Sequence, residues 1–299
     1  MDAVVVDGAF GGPEAVRVAR VPVPEPAAGQ VRVKVRAAGL NPVDGAVRAG
    51  VFGGGGQRIG LGWDLAGEID AVGAGVTGWA AGQRVIGLHY GPVKPLGTHA
   101  EYAVLDAAAL APAPATVDDT AAAVLPLSGL TAARAVELLG LEPGSTVLVT
   151  GAAGMVGGFA VQLAVRAGLV VTALAGAEDE ALVRELGAVD FVPRGMRPVD
   201  AVDGVLDAAA LGAAALEPVR DGGVYVGLHP GAAPAAVRGI RVVEQEVAAD
   251  GAQLGRLAAL VDRGELVLRV GGTYPLAAAA EAHAALARPG LRGRVVLTP

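Results

Sequence analysis

Between Gln30 and Leu40 the chain alternates valine with basic residues, QVRVKVRAAGL, the period-two pattern of a strand with one buried face. Short apolar runs follow in GEIDAVGAGV, GQRVIGL and HAEYAVLD, separated by glycine turns. Residues 1–118 therefore read as a compact β-rich lobe. The pattern changes near Asp118, where DDTAAAVLPLSGLTAARAVELLG is helical with a break around Pro126. From Ser145 onward apolar strands alternate with helices. TVLVT is apolar along its whole length, as expected of a parallel strand buried on both faces. A helix over 157–167, the strand LVVTALA, a helix in EDEALVREL stopped by Gly187, and the strands VDFV, GVLDAA and GGVYVGL complete the alternation. This βαβ order specifies a doubly wound parallel sheet, so the fold class is α/β with a second, β-rich domain.

After Val247 the pattern predicts a helix in DGAQLGRLAALVDRG, a strand in LVLRV, a helix in LAAAAEAHAALAR and a last strand in GRVVLTP. An isolated last strand would leave its edges unpaired, so it should return to the first lobe. The expected division is 1–118 with 248–299, and 119–247. Only PRGMRPVDAVD separates Val192 from Gly204. Two prolines in so short a stretch leave no room for a helical crossover, so the second domain should be trimmed between 193 and 203.

A chain of 299 residues can form two cores, and with 53% hydrophobic but 3% aromatic residues those cores must be built from Ala, Val and Leu. The absence of cysteine excludes disulfides, thiolate zinc sites and cysteine nucleophiles together. A net charge of −7 provides no basic face for nucleic acid. The start MDAVVVDGAF lacks the basic region of a signal peptide, and no run is apolar enough to span a bilayer. The expectation is a soluble cytoplasmic protein without nucleic-acid or membrane partners.

The stretch TVLVTGAAGMVGGFAVQLAVRAG places a glycine turn between a buried strand and a helix. Gly154 and Gly157 fit the last two glycines of G-x-G-x-x-G, with Ala152 in the first position. Gly154 would let main chain approach a pyrophosphate, Gly157 would let the helix pack on the strand, and N–H groups around Ala153, Met155 and Val156 would face the anion. A tight turn with no ligand would leave the same pattern, but the strand, the helix and a second strand about 20 residues on favour the dinucleotide. That second strand ends in Ala175 and Gly176, without the carboxylate that holds the ribose of NAD. Glu178 and Asp179 read as first-turn helix residues. Arg194 is the candidate cation for a 2′-phosphate, so NADPH is expected in preference to NADH.

AAGLNPVDGAVRAG, GWDLAGEIDAVGAGVTGWAAGQRVIGL, GTHAEYAVL, AAAVLPLSGLTA, VLVTGAAGMVGGFAVQLA and YPLAAAAEAHAALARPGLRGRVVL occur in that order. Together they resemble the zinc-independent quinone oxidoreductase branch of the medium-chain dehydrogenase/reductase superfamily. The resemblance implies a GroES-like catalytic domain plus a Rossmann domain and a homodimer. It also implies NADPH-dependent reduction of quinones or of C=C bonds conjugated to a carbonyl. Asn41 resembles the family asparagine lining the nicotinamide pocket, and is also a turn-former before Pro42. Thr131 resembles the threonine beside the nicotinamide, and Gly227, Leu228 and His229 would pass that ring. Ala46 stands where the family often has an aromatic, and Arg292 and Arg294 either edge the cleft or lie on a solvated face. Zinc-containing relatives carry Gly-His-Glu where this chain has Gly62-Trp63-Asp64, and the four histidines at 89, 99, 229 and 283 show no ligand spacing. No metal is expected. Trp63, Phe52 and Tyr90, near the glycine run Gly53–Gly56, are candidates to wall a flat substrate. Tyr90 or His89 is a candidate proton donor. The alternative is a nucleotide-binding sensor or structural protein of this fold without turnover.

Overall fold

The computed structural model describes residues 1–196, 200–229 and 231–299. They divide into two compact units: Met1–Leu127 with Ala248–Gly264 and Leu268–Pro299, and Ser128–Val247 with Glu265–Val267.

In the first unit, β1 (Asp2–Asp7), β2 (Arg17–Arg20) and β4 (Arg58–Gly60) form a small sheet in the order β2-β1-β4. A larger sheet is centred on β3 (Gln30–Gly39) and β5 (Asp64–Val72), with β6 (Arg84–Leu88), β7 (Tyr102–Asp106) and β8 (Leu110–Pro112). The alternation in β3 is realised: Val31, Val33 and Val35 are buried beside Leu65, Ile69 and Leu105. Outward-facing Arg32 and Arg36 pair across the strand with Asp70 (2.5 Å) and Glu68 (3.4 Å). Helix α1 (Pro42–Arg48) follows β3 directly. Helix α2 (Asp119–Ala122) packs on β3 and β5, which is why this segment joins the first unit although its helical pattern suggested the second.

The second unit is a six-stranded sheet, all parallel among the described residues. Helix α3 (Pro126–Leu139), starting at the proline break, leads to β9 (Thr146–Thr150), α4 (Met155–Arg166), β10 (Val170–Ala175), α5 (Glu180–Glu185) and β11 (Asp190–Pro193). Then come β12 (Val202–Asp207), α6 (Ala213–Leu216), β13 (Val219–Gly227) and β14 (Arg241–Glu244). The order β11-β10-β9-β12-β13-β14 reverses direction between β9 and β12, the switch point at which such sheets receive ligands at their carboxyl ends. The expected trimming between 193 and 203 includes residues 197–199, which lie outside the described residues; β11 ends at Pro193 and β12 begins at Val202.

After α7 (Gly251–Asp262), the strand expected in LVLRV is absent. Val267 donates its N–H to the Gln162 Oε1 of α4 at 2.7 Å, so that main chain serves a side chain rather than a ladder. The strand here is β15 (Val270–Pro275), parallel to the last strand, β16 (Arg294–Thr298), with α8 (Ala279–Leu286) between them. β16 pairs with β3 through Val296–Gly39 and Leu297–Ala38, within the first unit. Leu276, Ala279, Ala282, Val295 and Leu297 fill its core with Val4, Leu40 and Leu61. No helix among the described residues is long and apolar enough to cross a membrane.

Candidate active site

The turn after β9 is made of main chain. Gly151 has φ of +59°, and Gly154 is the N-cap of α4 with φ of −70°. A Cβ on Gly157 would collide with the carbonyl of Gly151, so glycine is what lets α4 settle on β9. Gly154 differs in degree: it is exposed, and a Cβ there would meet Gly151 O at 3.2 Å, a tight contact that asks for a small adjustment rather than a collision. Ala153 is buried, while Met155 and Val156 are half-buried and open the helix, whose first N–H groups have no intrahelical acceptor.

Ala175 is buried at the end of β10, and the exposed Arg194 follows β11, donating its own N–H to Ala175 O at 2.7 Å. The Glu178 carboxylate curls back against Gly176, where a Cβ would come within 2.6 Å of it. A carboxylate thus does lie beside the strand end, contributed from two residues downstream. Asp179 is buried.

At the carboxyl ends of β9, β12 and β13 a second set of groups converges on Asp207, which sequence reasoning missed. It accepts hydrogen bonds from Thr150 Oγ1 (2.6 Å), Tyr225 OH (2.9 Å), Leu211 N–H (3.1 Å) and Gly212 N–H (2.8 Å). Burial and this carboxylate push the Tyr225 phenol well above its usual range. The network ties down the loop after β12. Leu228 N–H bonds Asp207 O at 3.3 Å, and Gly227 is buried at the end of β13. His229 is exposed, with Nε2 3.4 Å from Ala208 O. Thr131 is buried on α3.

The first unit holds a buried cluster of charges around Asn41. Asn41 caps α1, and its N–H donates to Asp44 Oδ2 at 2.7 Å. Its Nδ2 donates to Asp64 Oδ2 at 2.9 Å, while Oδ1 is buried and without a hydrogen-bond partner among the described residues. Asp44 also accepts from Gly62 N–H (2.9 Å), and Asp64 from Leu127 N–H (2.8 Å). Burial pushes Asp64 up to about 7, against the opposing pull of Arg294 and its hydrogen bonds. Arg294 is 3% exposed and donates to Leu40 O at 2.8 Å, so neither expectation for it, cleft edge or solvated face, holds. It is instead a buried cation whose charge attracts the Asp64 and Asp44 carboxylates.

Lys94 belongs to the same cluster. It is 8% exposed; its ammonium donates to His89 O at 2.6 Å and lies 4.7 Å from the centre of the Trp63 ring. Burial lowers it to about 7, with Asp44 and Asp64 pulling the other way. Trp63 itself is buried, with Tyr90 edge-on at 5.5 Å and 44% exposed. Phe52 is exposed on its loop. His89 is held neutral, pushed down to about 3 by burial and Lys94, which makes its ring a poor proton donor. The histidines are not all scattered: His99 and His283 face each other at 6.1 Å in the core.

Two domain families match this chain, an alcohol dehydrogenase GroES-like domain over residues 27–115 and a zinc-binding dehydrogenase domain over residues 176–297. A quinone oxidoreductase of Pseudomonas aeruginosa is 31% identical over 97% of this chain and 98% of its own length. The chain belongs to the quinone oxidoreductase branch of the medium-chain dehydrogenase/reductase superfamily. It is thus an oxidoreductase of a family whose members bind NAD(P). A chloroplastic NADPH-dependent alkenal/one oxidoreductase of Arabidopsis thaliana is 32% identical over 97% of this chain and 78% of its own. A solved NAD-dependent alcohol dehydrogenase superposes with a TM-score of 0.89 at 33% identity, covering 100% of both chains. Among the described residues, no group of three or more His, Cys, Asp or Glu is placed to hold a metal.

Proposed function

We propose that the protein is an NADPH-dependent, zinc-independent reductase of quinones or of C=C bonds conjugated to a carbonyl. The carrying observation is the pairing, within one family member, of a glycine turn that opens α4 with a buried contact between Lys94 and Trp63 of the Gly-Trp-Asp segment. A catalytic zinc needs three protein ligands at an open site, and this segment offers an indole and a lone carboxylate instead. Without a Lewis acid, an alcohol has no ready stabiliser for its alkoxide, whereas a quinone or enone is already electrophilic. The names of the Pseudomonas and Arabidopsis relatives support the same substrate class.

Ala153, Gly154, Met155, Val156 and Gly157 would hold the pyrophosphate, and Ala175, Gly176 and Arg194 the adenosine ribose and its phosphate. Gly227, Leu228 and His229, braced by Asp207, would border the nicotinamide, with Asn41 and Thr131 lining its pocket. The bound reduced cofactor supplies the hydride. Arg194 favours a 2′-phosphate, while the Glu178 carboxylate beside Gly176 opposes one, so the preference for NADPH is modest. The exposed ladder edge of β14 supports a homodimer, read by sedimentation.

The test is NADPH and NADH oxidation with 1,4-naphthoquinone and with an enone, before and after chelator. Turnover that survives chelation, faster with NADPH, is the expected result. Nucleotide binding without turnover across a broad acceptor panel would replace this reading with a non-catalytic one.

A further inference from the structure

A lysine buried to 8% exposure ordinarily has a carboxylate against it, because an ammonium taken out of water without a counter-charge is expensive. Lys94 has none within salt-bridge distance among the described residues. It is held by one carbonyl, His89 O at 2.6 Å, and by the face of Trp63, and each uses only part of its capacity. An ammonium has three donors. Asp44 and Asp64 attract it from a distance, but both are engaged elsewhere, Asp44 by the Asn41 and Gly62 amides and Asp64 by Asn41 Nδ2 and Leu127. Nor is the position an accident of a loose loop, since Lys94 O accepts from Gly60 N–H at 2.8 Å and fixes the segment to β4. Beside it, Tyr90 carries the Trp63 aromatic surface out to solvent.

We propose that Lys94 is a catalytic residue that binds and then protonates the oxyanion formed on the substrate carbonyl. The inference rests on the reductase reading above. It supplies what that reading lacks, a charge to replace the Lewis acid and a source for the second hydrogen. When hydride has reached the β-carbon of an enone, the C=C π electrons become the new C=C bond of an enolate and the carbonyl pair moves onto oxygen. The Lys94 N–H bond breaks as the enolate O–H bond forms, leaving a neutral amine. Solvent returns the proton to Lys94, and the enol tautomerises to the saturated ketone. For a quinone the same proton goes to the hydroquinone monoanion. No oxidation change falls on the lysine. An amine whose proton affinity sits near neutrality is suited to this exchange. The charged groups facing it are Asp44 and Asp64, with the neutral His89 and His99 close by.

The test needs no cofactor. 2,4-Dinitrophenolate, a flat aromatic oxyanion that stays ionised from pH 6 to 9, is titrated into the whole protein and followed by its absorbance. Wild type is expected to bind it, at least tenfold more tightly at pH 6 than at pH 8.5, because binding is lost as Lys94 gives up its proton near pH 7. Lys94→Met should bind at least tenfold more weakly at pH 6 and lose the pH dependence. Lys94→Arg, whose charge persists, should bind with a flat profile, and serves if the methionine variant is misfolded by circular dichroism. No binding by wild type, equal binding by Lys94→Met, or an unchanged pH profile in Lys94→Arg would each overturn the assignment. Failure of wild type to oxidise NADPH with either acceptor would instead strike the reductase reading, and the phenolate titration would be unaffected.

Discussion

The turn from Gly151 to Gly157 is assembled from the main chain of consecutive residues, whereas the cluster around Asp64 is assembled from side chains spread from Asn41 to Arg294. In the proposed reading both offer polar groups to a ligand. The turn does so because helix geometry leaves its first N–H groups unpaired whatever the side chains are. The cluster does so only because particular charges balance. The turn should therefore be sensitive to bulk and indifferent to charge balance within the unit, and the cluster the reverse. Substitutions can break that contrast.

The largest effect is expected at Arg294. Arg294→Met keeps much of the volume but removes one of the two cations that balance the buried Asp64 and Asp44, a loss of about 3–5 kcal/mol by urea denaturation. A loss below ~1 kcal/mol would mean that the cluster is not held by charge. Next is Gly157→Ala, one added carbon against the carbonyl of Gly151, which should cost about 1–3 kcal/mol and weaken nucleotide binding severalfold. Gly154→Asp sharpens the comparison. Its Cβ meets a single atom, Gly151 O at 3.2 Å, so stability should fall by no more than about 1 kcal/mol, while the carboxylate should abolish nucleotide binding measured by fluorescence titration.

A smaller effect concerns acid. His89 and His283 are pushed down to about 3 by burial, and His99 is lowered for the same reason. Folded histidines with depressed affinity bind fewer protons than unfolded ones. Their stability contribution is complete above the unfolded value near 6.5 and is lost as pH falls toward about 3. Asp64, raised to about 7, acts oppositely but is one group against three. The protein should thus weaken between pH 6.5 and 5, by up to about 2 kcal/mol for each fully neutral histidine. His283→Phe should flatten that slope in paired urea titrations at the two pH values. An unchanged slope would place the acid sensitivity elsewhere.

The smallest effect is at Arg194, an exposed side chain. Arg194→Ala should raise the KM for NADPH a few-fold, equivalent to ~1 kcal/mol, and leave that for NADH nearly unchanged. Glu178→Gln should move the preference further toward NADPH. If wild type prefers NADH, the Glu178 carboxylate outweighs Arg194.

What could be read in the sequence follows the same division. The period of β3, the apolar run of β9 and the glycine spacing after it are local patterns, and they gave the β-rich lobe and the doubly wound sheet; the GroES-like and Rossmann assignment came from the family resemblance. The strand expected at LVLRV failed because the Val267 amide is taken by Gln162, a partner 105 residues away. Arg294 read as a cleft edge or a solvated face because nothing near it in sequence is acidic, and Asp64 stood out only as part of the segment that replaces a Gly-His-Glu motif. Lys94 lies between two prolines in a stretch with no periodicity. His99 and His283 come from β7's approach and from α8, so their spacing along the chain says nothing about their separation in space. Only Tyr225, two residues past the Gly222–Gly223 pair of β13, offered a local signal, a phenol between two buried valines.

The pairing of β16 with β3 fixes an order of events during synthesis. Every strand of the β9–β14 sheet is complete once residue 244 has been made. The other unit must wait for Arg294, whose bond to Leu40 O spans 254 residues of sequence. Until that arginine arrives, Asp44 and Asp64 have only the more distant Lys94 as a cation in their cluster, and the edge of β3 that β16 will cover is open. The sheet encoded second can therefore be completed before the one encoded first, and a ribosome stalled before codon 294 is expected to display an open strand edge for other chains to join.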